Sequence, residues 1–196
     1  MTRSRLPERI IVGNDLIIRR WDTNDADTMA ALIVESLDHL RPWMAWAHTE
    51  PLSTEARLGL FAKWDRYWAS GAGAVYAIVV ADELVGGCSL HRRVGPGGIG
   101  LGYWLARHGT GEGTATRTAG ALVEISFDLD DVDFVQISHT ASNRASGAVA
   151  KRLGFDNVTT DTENTVTTWR RQRPRSPRWH RTRSRSMAAR TTPYRR

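Results

Sequence analysis

A chain of 196 residues, 41% hydrophobic and 24% charged, has the composition of one ordinary globular domain, which excludes an intrinsically disordered polypeptide. No apolar run reaches the roughly 18 residues that a membrane-spanning helix needs. Met1–Glu8 lacks the apolar core of a secretion signal, and the single cysteine, Cys88, excludes an internal disulfide or a thiolate metal cluster. The expectation is a cytoplasmic protein that binds no membrane and no metal. The net charge of +6 says little about partners. Residues 170–196 hold eleven arginines and no acid, so 16 basic and 21 acidic residues remain over 1–169, a net charge of −5. The basic excess belongs to a tail.

In chain order, Ile10–Val12 and Leu16–Trp21 flank a Gly13-Asn14-Asp15 turn and read as a first strand pair. Thr23 or Asn24 caps a helix expected to run to Leu40, with Met29, Leu32, Ile33 and Leu37 at helical spacing. Pro42 ends it within Leu40–Trp46. Ser53 or Thr54 caps a second helix to Ala69, whose apolar face is Leu60, Trp64, Tyr67 and Trp68. Strands follow at Ala74–Ala81 and Leu84–His91, joined by a two-residue Asp82-Glu83 turn. Gly95–Gly98 leads into a strand at Ile99–Ala106. A helix over Gly113–Leu129 presents Ala119, Leu122, Val123 and Phe127 on one face. Phe134–His139 reads as a strand, Asn143–Leu153 as a short helix stopped by Gly154, and 155–169 as one more strand. Residues 1–169 therefore make one domain of the α/β (α+β) class, a mixed twisted central sheet flanked by helices. Residues 170–196, rich in Arg, Ser, Thr and Pro, make a basic tail expected to be disordered.

The chemistry concentrates between residues 100 and 116. Eight of the seventeen glycines lie between 95 and 113, and Gly109-Thr-Gly-Glu-Gly113 joins a strand to a helix. A helix N-terminus presents unpaired amides and the positive end of a dipole, so such a turn suits an anion. The bland alternative is a tight connection and nothing more. Two phosphate-binding patterns fail. A P-loop needs Gly-Lys-Ser/Thr, and no lysine is present in this stretch; a dinucleotide fingerprint needs a third glycine where Thr114 stands.

A third pattern fits. Gly102-Tyr-Trp-Leu-Ala106, Gly111-Glu-Gly-Thr-Ala-Thr116, a helix ending at Phe127, the strand Phe134–His139, Asn143-Arg-Ala-Ser146 and Leu153-Gly-Phe155 occur in order. Together they resemble the acetyl-CoA core of the GNAT acetyltransferase superfamily over about residues 10–155. Leu40-Arg-Pro-Trp43 resembles the corresponding segment of the RimJ/RimL-like branch. The resemblance implies a GNAT fold and an N-acetyltransferase taking acetyl-CoA as donor. The expected acceptor is a primary amine, a protein N-terminal α-amino group of the ribosomal-protein type. A small-molecule amine and a catalytically impaired CoA-binding protein are the alternatives.

Carried onto this chain, the family's pyrophosphate motif falls on Thr110-Gly111-Glu112-Gly113-Thr114-Ala115, followed by Thr116. Gly113 and Ala115 match it, whereas Thr110 replaces a long polar side chain. Trp104, Leu105 and Ala106 fall where the family's strand backbone meets the pantetheine and the acetyl group. Asn143 falls where an amide bonds the pantetheine, and Ser146 where a hydroxyl serves the departing thiolate as the catalytic group. The implied chemistry is direct attack by the amine in a ternary complex.

Each of these residues also has a plainer reading. Asn143 suits a helix N-cap, a role compatible with ligand binding. Ser146 suits a first turn without any function. His139 is either a proton acceptor near the site or a satisfied structural histidine, while His91, His108 and His180 show no metal spacing. Glu163 is an isolated candidate base. Trp43, Trp46, Trp64 and Trp68 would either wall an acceptor pocket or fill the core, and Cys88 reads as a buried apolar side chain. Beyond Phe155 the sequence shows no apolar closing hairpin of the family kind. Two accounts of the arginine-rich end stand: a basic arm for RNA, or a shifted reading frame replacing the last strand. Homodimer formation is a further expectation left open.

Overall fold

The computed structural model describes residues 5–161 and 165–174. In chain order the elements are β1 (Arg9–Val12), β2 (Leu16–Arg20), a 3-10 turn (Thr23–Asp25), α1 (Ala26–Glu35), α2 (Leu37–Leu40), a 3-10 segment (Ala45–Thr49) and α3 (Thr54–Ala69). After them come β3 (Gly73–Val80), β4 (Glu83–His91), β5 (Gly98–Leu105), a 3-10 turn (Arg107–Gly109), α4 (Thr114–Phe127), β6 (Phe134–Thr140), α5 (Arg144–Arg152), β7 (Asp156–Asp161) and β8 (Val166–Gln172). The sheet runs β1-β2-β3-β4-β5-β6-β8-β7. Its pairs are antiparallel except β5–β6, which is parallel. A mixed sheet flanked by helices is the expected class.

Period-two alternation decides what each face carries. Tyr103 packs toward the larger core, where Ala119, Leu122 and Val123 of α4 and Val149 and Ala150 of α5 meet the sheet. Its neighbour Trp104 packs with Ala26, Met29 and Ile33 of α1 and Phe61 of α3 in a second cluster. The two faces thus hold different helix pairs, and β5 borders both.

Several boundaries differ from the sequence reading. The first helix breaks at Ser36, whose φ of −109° and ψ of 3° leave the helical basin and separate α1 from α2. Its entry is capped by Asp22, which accepts from the Asn24 amide and closes a capping box with Asp25, and not by Thr23 or Asn24. The β3–β4 turn falls one residue early, on Ala81 and Asp82, both at positive φ. In α3, capped by Ser53 as expected, the buried positions are Arg57 and Phe61. Phe61 stacks on Trp21 and Trp64. Arg57 is wholly buried against Glu50, 2.7 Å away.

The C-terminal end departs most. Asp156–Asp161 and Val166–Gln172 form two paired antiparallel strands, so the closing strand pair is present. The domain runs past 169: Arg170 and Arg171 belong to β8, which pairs with β6 from Phe134↔Gln172 to Thr140↔Val166. A strand needs only alternate residues inward. Thr167 and Trp169 are buried, while Arg170 lies over the Phe134 ring and bonds Gln136 at 2.9 Å. Arg173 donates to the carbonyls of Val132 (2.7 Å), Phe127 and Leu129 at the end of α4. Both guanidinium groups also stack on aromatic rings, Arg173 on Phe127. Glu163, His180 and the rest of the tail from 175, with the expectations of disorder, RNA contact and a shifted frame, lie outside the described residues. No helix among the described residues is long and apolar enough to cross a membrane.

Candidate active site

The sheet opens at its one parallel junction. β5 and β6 pair from Gly98↔Phe134 to Leu101↔Ile137 and no further. Beyond that point β5 continues to Leu105 against β4, and β6 continues to Thr140 against β8. The two strands diverge into a wedge. In an antiparallel pair alternate residues turn their amides and carbonyls away from the partner. The last residues of β5 therefore offer unpaired backbone groups to the wedge, as a sheet edge does.

The chain leaving β5 turns through Arg107–Gly109 into the glycine loop and α4. Gly111 and Gly113 have φ of +92° and +77°, and a Cβ at either would meet nothing within 4 Å. Glycine is required there by backbone conformation, and open space lies outside the loop. Gly113 is the N-cap of α4 and provides no side-chain bond. The first helical bond runs from the Arg117 amide to the Gly113 carbonyl, at 3.0 Å. The amides of Thr114, Ala115 and Thr116 therefore have no acceptor within the helix. Arg117, one turn in, is bound to Asp15 and donates to the Val12 carbonyl at 2.9 Å. The Arg117 hydrogen bond holds the Asp15 carboxyl below the usual aspartate range.

α5 closes the other side. Asn143 is 9% exposed, and its Oδ1 accepts from the Ser146 amide at 3.1 Å. The cap reading holds, and the Asn143 Nδ2 is left free to donate elsewhere. Ser146 faces the buried Tyr103 hydroxyl, which has no hydrogen-bond partner of normal geometry. Burial pushes the Tyr103 phenol up, and the Ser146 hydroxyl beside it pulls the other way. β5, α4, α5, α2 and the following turn enclose a cavity of about 630 Å³, whose walls include Tyr103–Leu105, Gly111, Thr114–Arg117, Asn143 and Ser146.

The profile of the acetyltransferase (GNAT) domain matches residues 15–156. The chain belongs to the GNAT acetyltransferase family. It is 27% identical over 146 residues to the Bacillus subtilis protein named "Putative ribosomal N-acetyltransferase YdaF", covering 74% of this chain and 79% of that one. It is 23% identical over 161 residues to the [ribosomal protein uS5]-alanine N-acetyltransferase of Escherichia coli, covering 79% and 81%. Among solved structures, the ribosomal L7/L12 α-N-protein acetyltransferase RimL in complex with coenzyme A superposes with a TM-score of 0.76. That match has 23% identity and covers 84% of this chain and 98% of the other. At that identity the likeness is one of fold.

In this acetyltransferase the cavity gathers Trp104, Leu105, Thr110, Gly111, Gly113, Thr114, Ala115, Thr116, Asn143 and Ser146. Two expected residues stand outside its lining. Ala106 is fully buried, with its amide bonded to the Val85 carbonyl at 2.8 Å, and so faces away from a ligand. Glu112 is exposed and is not part of the cavity wall. Thr110 reaches the cavity, but its hydroxyl donates to the Arg107 carbonyl at 2.7 Å and closes the turn. His139 lies on the far side of α5. Its Nε2 accepts from Trp169 Nε1 at 2.9 Å and its Nδ1 lies 2.8 Å from the Thr140 carbonyl; it is the satisfied structural histidine. Trp43 lines the cavity, whereas Trp46 and Trp64 pack in the second core and Trp68 lies edge-on to Tyr76. Cys88 is buried, which pushes its thiol up. The sequence reading passed over Tyr103, His39, Arg117 and Arg152, all in the cavity wall. Tyr103 sits inside the Gly-Tyr-Trp motif and was visible there; nothing local marked the other three.

Proposed function

We propose that this acetyltransferase moves the acetyl group of acetyl-CoA to a primary amine, and that the amine is a protein N-terminal α-amino group. The wedge between β5 and β6, with acceptorless amides of α4 at its mouth, carries the donor half. An extended amide-bearing chain can complete the unpaired backbone of β5 as an added strand would. A pyrophosphate suits the amides of residues 111–116, with Arg152 supplying charge. The residues present therefore fit a nucleotide with a long thioester arm. The acceptor half is supported by the names of the relatives, which describe enzymes acting on ribosomal proteins.

Catalysis then rests on placement and on groups matched to developing charge. The amine attacks the thioester carbonyl carbon. The Leu105 amide, which the alternation turns into the wedge, stabilises the oxygen as it gains charge, a role closed to the amides of Trp104 and Ala106, which face β4. The carbon–sulfur bond breaks with its electron pair on sulfur, beside Ser146. The Ser146 hydroxyl donates to that thiolate, and the Tyr103 hydroxyl, unpartnered and adjacent, can donate to Ser146 in turn. Asn143 holds the first turn of α5 through Oδ1 and offers Nδ2 to the donor's amide.

Mass spectrometry of an amine panel incubated with acetyl-CoA tests this. The panel holds peptides with different N-terminal residues, a polyamine and an aminoglycoside. Acetyl addition on a peptide α-amine is expected. Addition only to the small amines moves the acceptor class, and acetyl-CoA binding without any product reduces the protein to a binding module.

A further inference from the structure

We propose that His39 takes the proton released by the acceptor amine, an inference that rests on the amine-acetylation reading above. As the nitrogen–carbon bond forms, nitrogen becomes cationic and must lose a proton, while sulfur departs with the bonding pair. The reaction therefore needs one base as well as one donor. Among the described residues the cavity lining contains no aspartate or glutamate, and its titratable side chains are His39, Tyr103, Arg117 and Arg152. Arginine keeps its proton throughout. The Tyr103 phenol, pushed up by burial, is a donor and faces Ser146. Of these four, His39 alone has a basic lone pair to offer.

Its setting suits that role. Among the described residues neither ring nitrogen has a hydrogen-bond partner, in contrast to His139, both of whose nitrogens are engaged. The ring is partly exposed on a wall built by α2, whose Leu40 is 3% exposed and anchors the turn. At the break before α2, the Ser36 hydroxyl accepts from the Arg107 amide at 3.3 Å. That bond ties the histidine's segment to the chain leaving β5. The wall bearing the base is thus fixed to the strand that would present the thioester. Arg107 acts on the ring through its charge, Tyr103 of β5, Arg117 of α4 and Arg152 of α5 share the cavity wall with it, and Asp38 and Arg41 lie on its own segment. Burial and the Arg107 charge hold the imidazole below the ordinary histidine range. Both effects favour the neutral imidazole, the form able to accept a proton and to pass it to solvent.

The test is the pH dependence of kcat/KM for peptide acetylation by the full chain, wild type against His39→Gln, with His39→Ala as second variant. Both the imidazole and the amine must be unprotonated for reaction. Below both pKa values log kcat/KM should therefore rise with a slope approaching two in the wild type and one in His39→Gln. The rate at pH 7 should fall about a hundredfold, as for loss of a general base, and added imidazole should restore part of it to His39→Ala. Both variants should keep the wild-type melting temperature and its rise with acetyl-CoA. An unchanged rate and slope in His39→Gln would overturn the proposal, and so would loss of the acetyl-CoA response, which would make His39 a binding or folding residue. A wild type that acetylates no amine overturns the reading beneath it as well; a wild type that turns over beside an unaffected variant overturns this inference alone.

Discussion

Replacing Gly113 by valine separates the loop's backbone requirement from its ligand. Gly113 has φ of +77°, and a Cβ there would meet no atom within 4 Å, so the free protein meets no clash, only conformational cost. An L-residue held in the left-handed region loses about 1–2 kcal/mol, and a β-branched one no less. For a chain of this size each kcal/mol is worth about 2–4 °C in Tm, so the free variant should melt about 2–8 °C lower. Acetyl-CoA at about 100 times its Kd adds about 2.7 kcal/mol to the wild type, or about 5–11 °C by the same conversion. The variant should lose most of that increment, because relief of the strain turns the amides of residues 113–116 away from a common anion. Gly59 serves as control: it lies within α3, has no positive φ, and a Cβ there meets nothing within 4 Å. Gly59→Ala should raise stability by about 0.5–1 kcal/mol and keep the full acetyl-CoA shift. Thermal denaturation with and without acetyl-CoA reads all of this. A Gly113→Val protein with the full ligand-induced rise would refute the assignment of the loop as the phosphate site.

Three further outcomes are expected. Ser146→Ala should lower kcat about ten- to a thousandfold while leaving the acetyl-CoA shift in place, since a hydroxyl that meets charge only in the transition state affects rate and not binding; an unchanged kcat in the chemistry-limited regime refutes the leaving-group role. Arg173→Ala should destabilise by about 1–2 kcal/mol, because three carbonyls at the end of α4 lose a charged donor, and equal melting temperatures would show that water replaces it. Asp15→Asn should flatten the acid side of the stability profile: the hydrogen bond from Arg117 holds this carboxyl low in the folded state, so its contribution is complete above the ordinary aspartate range and lost as pH falls through the folded value. A titration of Tm against pH that is unchanged in the variant would remove Asp15 from that account.

What the sequence disclosed and what it hid follow one division. Signals carried by the backbone within a few residues were legible. The glycine loop, the Ser53 and Asn143 caps and the amphipathic face of α4 all fall where periodicity and turn chemistry put them. Signals created by distant pairing were not. The carbonyl that removes Ala106 from the site belongs to Val85, and the partner that ties up His139 is Trp169. Arg57 was invisible as a core residue because its burial depends on Glu50, and a lone arginine in a helix reads as solvated. The C-terminal strand failed for a related reason. Arginine reads as a solvated charge, whereas the Arg170 and Arg173 guanidinium groups lie over the rings of Phe134 and Phe127 and donate to waiting acceptors.

The position of the site follows from topology as much as from any motif. Every strand junction but one is antiparallel and can be held along its length by the neighbour on either side. The parallel junction needs a crossover, and α4 supplies it between β5 and β6. At the C-terminal ends of those strands the chain must leave the sheet on one side to enter the helix, so pairing stops at Leu101 and Ile137 while both strands continue. Ligands of α/β sheets bind at such carboxyl ends, where neighbouring connections part. The same departure creates the turn that requires Gly111 and Gly113 and leaves the first amides of α4 unbonded. The unpaired strand edge and the turn with unbonded amides are therefore two consequences of one crossover, which on the proposed reading would hold a donor's thioester and its phosphates at a fixed separation. On the proposed reading the acceptor side, walled by α2 and the turn after it, has no such constraint. α2 and the turn to Met44 depend on the break at Ser36 and its bond to the Arg107 amide, and changes there can alter the amine accepted while the donor cradle stays intact.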